Sequence, residues 1–467
     1  MSRVLFDELP FDTTIPVAII GAGAAGLCAA LAATEAGVDP VVFERDPLPQ
    51  GSTSLSAGLI PAPATQAQLA AGIADSVELF AGDIQAKAHG EADPTVLKLA
   101  TEGAGPAIDW LSERHGLAFT VIGDFSYPGH SARRMHGLAS RSGAELIDRL
   151  RAAVESAGVA IMTGAHVTAL VARPDGTVRG LELTRPDGAT ERIGAETVVL
   201  ACNGYGGNKA LVATHIPELE QALYFGHAGN QGDAVLWGEA LGAGLKHMTG
   251  HQGHGSVAHP HGILVSWAVI MEGGFQVNAA GERFWNEAQG YSEAGVAVLG
   301  QPGGIAWDIF DGRIAGIAGQ FEDFRRAEAQ GAILSAETPE ALAQAMKIGP
   351  QAIRATLESV ADLKRNGATD WLGRDWSGVA QLTPPYRAVR VTGALFHTQG
   401  GLRVDRHARA CRPDGSALPN LFAAGGAAVG VSGPHSSGYL SGNGLVTAVV
   451  LGRIAGAEAA RQVLDAS

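Results

Sequence analysis

The sequence is short of cysteine, of charge and of long apolar runs, and each shortage excludes a class of protein. Its three cysteines, Cys28, Cys202 and Cys411, stand far apart with neither metal-ligand nor redox spacing, which predicts a reducing compartment. Charged residues make up only 17% of the chain and the net charge is −14 with no basic cluster, so a nucleic-acid partner is not expected. No apolar run reaches the roughly 18 residues of a membrane span, and residues 1–11 carry acids where a signal peptide carries positive charge. We therefore expect a cytoplasmic protein without a membrane span.

Apolar residues and glycine, by contrast, are abundant. Hydrophobic residues make up 46% of the 467 residues, which is typical of a globular enzyme of two or three domains. The 64 glycines are nearly double the average usage of about 7%. Such an excess favours a protein whose backbone approaches a large ligand at several places.

A dinucleotide-binding βαβ pattern occupies residues 17–44. An apolar run is followed by Gly21-Ala22-Gly23-Ala24-Ala25-Gly26, then by a helical run and a second apolar run that ends at Glu44. In this motif Gly21 permits a tight turn, Gly23 lets the backbone approach a pyrophosphate, and Gly26 lets the helix pack on the strand. Glu44 lies near the spacing of about 20 residues at which a carboxylate binds a ribose hydroxyl, so FAD or NAD fits better than NADP.

Two further loops contain candidate ligand-binding residues. Residues 49–58 are rich in small and hydroxyl side chains, which make poor helix or strand but suit phosphate and flavin oxygens. We expect a cofactor loop there. Residues 124–136 contain Tyr127, Arg133, Arg134 and two histidines in a turn-rich segment. These side chains either line a pocket or are solvated, and the sequence leaves both alternatives open.

The remaining patterns predict a helical layer over residues 66–115, a helix over 143–157 and then a β-meander. The meander strands are predicted over residues 159–171, 178–183 and 190–201, joined by two turns that contain Pro, Asp and Gly. The third strand runs into Cys202-Asn203-Gly204. This is a second glycine-rich strand end.

From this point the chain resembles the flavoprotein family of fumarate reductases, succinate dehydrogenase flavoprotein subunits and 3-ketosteroid dehydrogenases. The glycine fingerprint, the meander, Asn230-Gln231-Gly232-Asp233-Ala234 and Leu421-Phe422-Ala423-Ala424-Gly425 recur in that order along essentially the whole chain. The resemblance implies an α/β fold: a Rossmann-like FAD-binding domain with a β-meander, plus an inserted α+β capping domain. It places the FAD-binding domain at residues 1–245 and 391–467 and the capping, substrate-binding domain at 246–390.

In this family the glycine-rich segments bind one extended FAD. The resemblance places Glu44 on the adenosine ribose, Val167 at the adenine and Asp233 on the ribityl chain, and residues 441–445 open a helix at the flavin. Where succinate dehydrogenases carry a flavin-linked histidine, this chain has Ser52-Thr53-Ser54, so we expect non-covalent FAD. The expected cofactor-binding residues are Gly21, Gly23, Ala24, Ala25, Gly26, Glu44, Arg45, Gly51, Ser52, Thr53, Ser56, Ala57, Gly58, Val167, Ala201, Asn203, Gly204, Asp233, Gly425, Gly426, Ser441, Asn443, Gly444 and Leu445.

The family's catalytic positions can be matched to this chain motif by motif. His254 and His397 fall where fumarate reductases carry substrate-binding histidines, and residues 278–287 match the strand-turn before their catalytic arginine. The positions of the proton-delivering and substrate-clamping arginines are, however, Tyr291 and Tyr439, and Ser266 begins what would be the proton path. Dicarboxylate reduction needs cations at these places. Tyrosines there resemble the ketosteroid dehydrogenase branch.

The expected reaction is therefore a desaturation: an FAD-dependent dehydrogenase introduces a C=C bond α,β to a ketone of a cyclic keto-acid or ketosteroid-like substrate. Tyrosine-assisted proton abstraction accompanies hydride transfer to flavin N5. The alternatives are a fumarate- or urocanate-type ene-reductase, a tricarballylate-type dehydrogenase and a non-catalytic flavin electron-transfer subunit. The electron acceptor or donor is not identified by the sequence. Predicted catalytic residues are Tyr291, Tyr439, His397 and His254, and predicted substrate-binding residues are Tyr127, Arg134, His251, Ser266 and Gly442.

Overall fold

The computed structural model describes residues 3–123 and 127–466. Residues 124–126, the start of the predicted pocket-lining segment, lie outside the described residues. The chain divides into two compact units: unit 1 is Met1–His215, Gly226–His251 and His397–Ser467, and unit 2 is Ile216–Phe225 and Gln252–Phe396. The division into domains at residues 245 and 390 stays a prediction.

The strands of the described part of the chain are β1 (Arg3–Leu5), β2 (Thr13–Ile20), β3 (Pro40–Phe43), β4 (Ile60–Pro61), β5 (Thr120–Val121), β6 (Met135–Gly137), β7 (Ala160–Met162), β8 (His166–Ala172), β9 (Val178–Thr184), β10 (Thr190–Leu200), β11 (Leu223–Tyr224), β12 (Leu245–Lys246), β13 (His251–Ala258), β14 (Ile263–Leu264), β15 (Phe275–Val277), β16 (Ile305–Asp311), β17 (Ile333–Ala336), β18 (Tyr386–Thr398), β19 (Gly401–Leu402), β20 (Arg409–Cys411) and β21 (Ala417–Ala423). The helices are α1 (Ala24–Glu35), α2 (Gly51–Ser54), α3 (Gln66–Ala70), α4 (Val77–Lys87), α5 (Pro94–His115), α6 (Gly143–Ser156), α7 (Lys209–His215), α8 (Asp233–Ala240), α9 (Ala268–Met271), α10 (Tyr291–Leu299), α11 (Gly312–Ala318), α12 (Glu322–Ala329), α13 (Pro339–Met346), α14 (Pro350–Asn366) and α15 (Asn443–Ala466).

The main sheet of unit 1 confirms the mixed α/β fold. Its strand order is β1-β8-β9-β10-β2-β3-β7, and β21 lies beside β10. The strands β2, β3, β10 and β21 are parallel where they pair, whereas β8, β9 and β10 form the antiparallel meander. The predicted helical layer appears as α3, α4 and α5, and the helix after residue 143 appears as α6.

Two local predictions are wrong. The single strand expected over residues 159–171 is two strands, because Gly164 has a φ of +59° and breaks the extended chain. The first part, β7, pairs with β3 at the edge of the sheet, and the second, β8, joins the meander. The loop over residues 49–58, expected to be a poor helix, contains the one-turn helix α2.

Four strands of this sheet end in register. Ile20 at the end of β2 pairs with Phe43 at the end of β3 and with Leu200 at the end of β10, which in turn pairs with Ala423 at the end of β21. The residues that follow, which include the glycine fingerprint and Glu44, therefore meet at one edge of the sheet. Ligands of open α/β sheets bind at this edge.

Glycines let the last helix pack closely against the first. A Cβ atom at Gly452 would lie 2.3 Å from the carbonyl oxygen of Ala25, and one at Gly456 would lie 2.0 Å from that of Ala29. Real Cβ atoms do not approach so closely, so only glycine fits at either position. The contact fixes α15 along α1, whose N-terminus carries the fingerprint.

Unit 2 is an α+β unit with a sheet of order β14-β13-β18-β16-β15, to which β11 and β17 add by pairing with β18. Its strands β15, β16 and β18 are antiparallel neighbours. Helices α9 to α14 supply apolar side chains such as Phe324 and Leu342 to its two cores. Across both units, none of the helices in residues 3–123 and 127–466 is long and apolar enough to cross a membrane. A cytoplasmic location stays a prediction.

Candidate active site

The glycine fingerprint forms a cradle at the edge of the unit 1 sheet. Gly21 has a φ of +106°, and a Cβ atom there would lie 2.6 Å from the carbonyl oxygen of Ala201. At Gly26 the same atom would lie 1.8 Å from the carbonyl oxygen of Gly21, so the start of α1 packs directly on the turn. Gly23 caps α1 without a side chain. The helix therefore offers backbone N–H groups and the positive end of its dipole to a phosphate.

Two side chains hold this cradle in place. Glu44 is buried, and one carboxylate oxygen accepts a hydrogen bond of 2.9 Å from the Ala22 N–H. The Thr53 hydroxyl accepts one of 3.0 Å from the Ala24 N–H. Both predicted cofactor residues therefore lie at the fingerprint, although they are distant from it in sequence.

Other predicted cofactor residues contact further segments of unit 1. The Arg45 guanidinium donates to the Gly229 carbonyl oxygen at 2.5 Å, and the Ser52 hydroxyl accepts from the Asn230 amide at 2.8 Å. A Cβ atom at Gly426 would lie 2.1 Å from the Asn203 side-chain oxygen, so these two glycine-rich strand ends touch. The remaining predicted residues are placed as follows: Ala25 in α1, Gly51 in α2, Ser56, Ala57 and Gly58 after it, Val167 in β8, Ala201 and Gly204 after β10, Asp233 at the start of α8, Gly425 after β21, and Ser441, Asn443, Gly444 and Leu445 at the start of α15.

The cradle, the close glycine contacts and the open helix start fit a dinucleotide with two phosphates and a planar ring system. A phosphate ion alone would not require the backbone to come close to the ligand at so many places. The residues present therefore fit FAD.

His397 and Tyr439 form a polar pair in unit 1. Their ring centroids are 5.2 Å apart and their planes are inclined by 75°. A Cβ atom at Gly444 would lie 3.0 Å from His397 Nε2 and 3.8 Å from Tyr439 Oη. The two polar atoms therefore converge on the space beside Gly444.

Burial sets the protonation of this pair. It lowers the pKa of His397 to about 4, with a smaller contribution from nearby His251, so the imidazole is neutral at pH 7. Burial raises the pKa of Tyr439 to about 12, so the phenol keeps its proton. A neutral imidazole and a phenol are hydrogen-bond donors for an uncharged acceptor.

The predicted substrate residues of unit 1 have different environments. Tyr127 is half-buried against Leu59 and Met135, and burial raises its pKa to about 12. The His251 imidazole is buried with Nδ1 2.9 Å from the Thr249 carbonyl oxygen. Gly442 has a φ of +88° in the turn before α15.

Arg134 is fully buried in two ion pairs. It contacts Asp75 at 2.8 Å and also pairs with Asp83. Two carboxylates already neutralise its charge, which gives Arg134 a structural role. Its expected role in substrate binding stays a prediction.

His254 lies in an aromatic environment in unit 2. Its ring is nearly parallel to those of Tyr291 and Phe396, at centroid distances of 5.3 and 5.4 Å, and Trp267 meets it edge to face at 5.7 Å. Burial lowers the pKa of His254 to about 3. Its Nδ1 accepts from the Ser256 N–H at 3.1 Å, so the neutral ring carries its proton on Nε2.

Tyr291 is the first residue of α10, whose N-cap is Gly290. The positive end of a helix dipole favours negative charge at this position. Ser266 precedes α9, and its hydroxyl accepts from the Ala268 N–H at 3.3 Å.

The arginines in and near the predicted strand-turn form buried ion pairs. Arg283 binds Glu287 at 2.6 Å and also pairs with Asp370, and Arg374 binds the same Glu287 at 3.1 Å. Arg374 also stacks over Trp376 at 3.9 Å. These cations are buried and compensated, so they do not replace the arginines absent at positions 291 and 439.

Sequence reasoning missed two residues that touch the predicted site. The Gln399 amide approaches His397, and Phe396 packs against His254. Gln399 is two residues after His397 and directly follows the end of β18, and this spacing of two was the available signal. Apart from its position in the same motif, nothing in the sequence indicated that Phe396 lies at the site.

Comparison with known proteins agrees with this geometry. The FAD binding domain family matches residues 16–445. A probable fumarate reductase of Shewanella frigidimarina is 31% identical over 98% of this chain and 76% of its own length.

Two solved structures are similar over nearly the whole chain. A flavocytochrome c3 fumarate reductase in an open conformation is 30% identical, with a TM-score of 0.82 over 97% of this chain and 79% of its own. A 3-ketosteroid Δ4-(5α)-dehydrogenase of Rhodococcus jostii, in complex with 4-androstene-3,17-dione, is 25% identical, with a TM-score of 0.76 over 97% of this chain and 98% of its own. The chain belongs to the FAD binding domain family and is an FAD-dependent oxidoreductase that acts on CH–CH groups.

Proposed function

We propose that this protein is an FAD-dependent desaturase that converts a saturated cyclic ketone, or a cyclic keto-acid, into the α,β-unsaturated ketone. The observation that carries the proposal is the surroundings of the two predicted substrate histidines: aromatic rings enclose His254, and the Tyr439 phenol lies beside His397. His254 is buried and His397 is half-buried, and the loss of hydration lowers their pKa values, to about 3 for His254 and to about 4 for His397. Neutral imidazoles are better suited to bind the carbonyl oxygen of a ketone than to bind the two carboxylates of a dicarboxylate substrate.

The aromatic surroundings in unit 2 support the same substrate class. Phe225 stacks on Phe396 at 5.2 Å, and His254 and Tyr291 extend this group of rings. Such surfaces favour an apolar ring and disfavour a dianion. The buried arginines of unit 2, Arg283 and Arg374, are paired with Glu287 and Asp370, so two carboxylates balance their two positive charges.

The proposed roles follow from the environment of each tyrosine. Tyr439, which keeps its proton, donates a hydrogen bond to the ketone oxygen with His397 Nε2–H beside it, and this acidifies the α-carbon. Tyr291 removes the α-proton, at a helix start that favours negative charge. The fingerprint, Glu44 and the start of α15 would hold the FAD, and the bound cofactor would supply the two-electron chemistry as acceptor of the hydride from the β-carbon.

Reduction of a C=C bond, in an enone or in an unsaturated carboxylate, is the second candidate. The similarity to the probable fumarate reductase of Shewanella favours it, and reduction and dehydrogenation pass through the same transition state. The direction depends on which partner exchanges electrons with the FAD.

Anaerobic spectroscopy of the FAD-loaded protein separates these candidates. We expect the visible flavin absorbance to bleach with saturated cyclic ketones or keto-acids and not with succinate. Chemically reduced protein should be reoxidised by the matching enone. Bleaching by succinate alone, or reoxidation by fumarate alone, would contradict the ketone proposal. No response to any of these compounds would favour an electron-transfer subunit.

A further inference from the structure

Three buried polar side chains connect His397 to the start of α15 within unit 1. The Gln399 amide nitrogen lies 3.2 Å from His397 Nδ1, the Ser432 hydroxyl donates to the Gln399 side-chain oxygen at 2.8 Å, and the Asn443 amide donates to the Ser432 hydroxyl at 2.9 Å. Gln399 is 5% exposed, and Ser432 and Asn443 are not exposed at all. The three residues come from three separate segments and are shielded from water.

The direction of these hydrogen bonds determines the tautomer of His397. The amide oxygen of Gln399 can only accept, so the Ser432 hydroxyl gives its proton to it and accepts from Asn443. The Gln399 N–H then donates to His397 Nδ1. A neutral imidazole that accepts at Nδ1 carries its proton on Nε2.

A competing acceptor lies on the same side of the ring. The Thr398 carbonyl oxygen is 3.3 Å from His397 Nδ1, and it would bind a proton on that nitrogen. In that tautomer the N–H of His397 would face the N–H of Gln399, which is unfavourable. Gln399 therefore decides between the two tautomers.

If the Gln399 and Asn443 amides were both rotated, the hydrogen bonds between these side chains would reverse direction. The surroundings of the Asn443 amide oppose this rotation. Among the described residues, no donor lies within hydrogen-bonding distance of the buried Asn443 Oδ1. Reversal would replace this one unpaired acceptor with an amide group carrying unpaired N–H donors. Buried unpaired N–H groups are rarer and more costly than under-satisfied oxygens.

We propose that Gln399, held by Ser432 and Asn443, is a positioning residue that keeps His397 in the Nε2–H tautomer. His397 then presents a donor beside the Tyr439 hydroxyl at Gly444. The catalytic meaning of this donor rests on the proposed function, in which it faces a ketone oxygen. The tautomer itself does not depend on the substrate.

The test is nitrogen NMR of the full-length, FAD-loaded protein labelled with 15N-histidine, with the His397 signals assigned by their loss in His397→Asn. We expect a protonated Nε2 and an unprotonated Nδ1 in the wild type. In Gln399→Met, which keeps the length of the side chain but has no N–H, the proton should move to Nδ1 and bind the Thr398 carbonyl oxygen. Turnover of the ketone should fall about tenfold, as expected for the loss of one oriented hydrogen bond.

Gln381→Met is the control, because its side-chain amide also donates one hydrogen bond, in this case to the Ala361 carbonyl oxygen at 3.0 Å in unit 2. It should leave the His397 signals unchanged. If Gln399→Met does not fold with bound FAD, Ser432→Ala takes its place and should shift His397 towards the Nδ1–H form. A wild type in the Nδ1–H form, or variants that keep the wild-type tautomer, would overturn the proposal. If no ketone reacts but the tautomer changes as expected, the proposed function fails and the positioning role stands.

Discussion

His397 Nε2 and Tyr439 Oη converge on Gly444, so that a single added methyl group there would lie 3.0 Å from the first atom and 3.8 Å from the second. This places two donors around one small volume at the start of α15. In a low-dielectric site, two aligned donors stabilise developing negative charge on a carbonyl oxygen.

Tyr439→Phe removes one of these donors and little else. We expect turnover of a saturated ketone to fall by about 10²–10³, the usual effect of losing one such donor, while FAD binding and the visible spectrum stay unchanged. Rapid-mixing reduction of the flavin under anaerobic conditions measures this step. A wild-type rate would exclude the proposed role of Tyr439.

Tyr291→Phe removes the proposed base. Proton abstraction by a positioned side chain contributes about 10²–10⁴ to the rate, so we expect a loss of that size with bound FAD intact. Deuterium at the substrate α-carbon should slow the wild-type reduction. The control is Tyr386→Phe, at the start of β18 in the same unit, which should reduce the flavin at the normal rate.

Gly444→Ala fills the volume between the two donors. We expect binding of the ketone to weaken at least tenfold, because the methyl group occupies the place of the ligand. Gly82→Ala is a suitable control, since a Cβ atom at Gly82 in α4 would meet nothing within 4 Å. FAD content should be measured for both variants. Normal ketone binding by Gly444→Ala would place the substrate elsewhere.

The pH dependence distinguishes a ketone from a dicarboxylate substrate. Because burial lowers the pKa of His254 to about 3 and that of His397 to about 4, both rings are neutral above about pH 5 and gain protons only below it. We therefore expect KM for the ketone to be constant from about pH 5.5 to 8. An affinity that is lost as pH rises through about 6.5, the ordinary histidine value, would show that a charged histidine holds the substrate.

Gly456→Val tests the contact between α1 and α15. The new side chain would collide with the Ala29 carbonyl oxygen, which is only 2.0 Å from the Cβ position. Overpacking costs typically about 1–3 kcal/mol, so we expect a lower Tm and loss of FAD. Ala466→Val, at the exposed end of the same helix, should change neither property.

The patterns that sequence reasoning read correctly are local ones. The βαβ unit at residues 17–44 and the meander each depend on residues close together in the chain, whereas the helix expected to open at residues 441–445 came from the family resemblance. The error at residues 159–171 is also local: Gly164 interrupts an apolar run whose composition alone suits a strand. Composition does not reveal at which glycine the chain turns.

The environments of the site residues, in contrast, depend on distant partners. Arg134 looked available for a substrate because Asp75 and Asp83, which neutralise it, are far away in sequence. Gln399 gained its role from Ser432 and Asn443 in the same way. The predicted catalytic and substrate residues remain predictions, to be decided by the variants above.

The strand ends that meet at the FAD edge also constrain the biogenesis of the protein. Ile20 leaves the ribosome early, whereas Ala423, which completes the same edge through Leu200, leaves it late. At about 5–20 residues per second, the interval is roughly 20 to 80 s. During that time the part of β10 that pairs with β21 lacks this partner, and the edge of the sheet that would bind the cofactor is incomplete. FAD incorporation should therefore follow synthesis rather than accompany it, and riboflavin-starved cells should accumulate full-length apoprotein that is open to proteolysis.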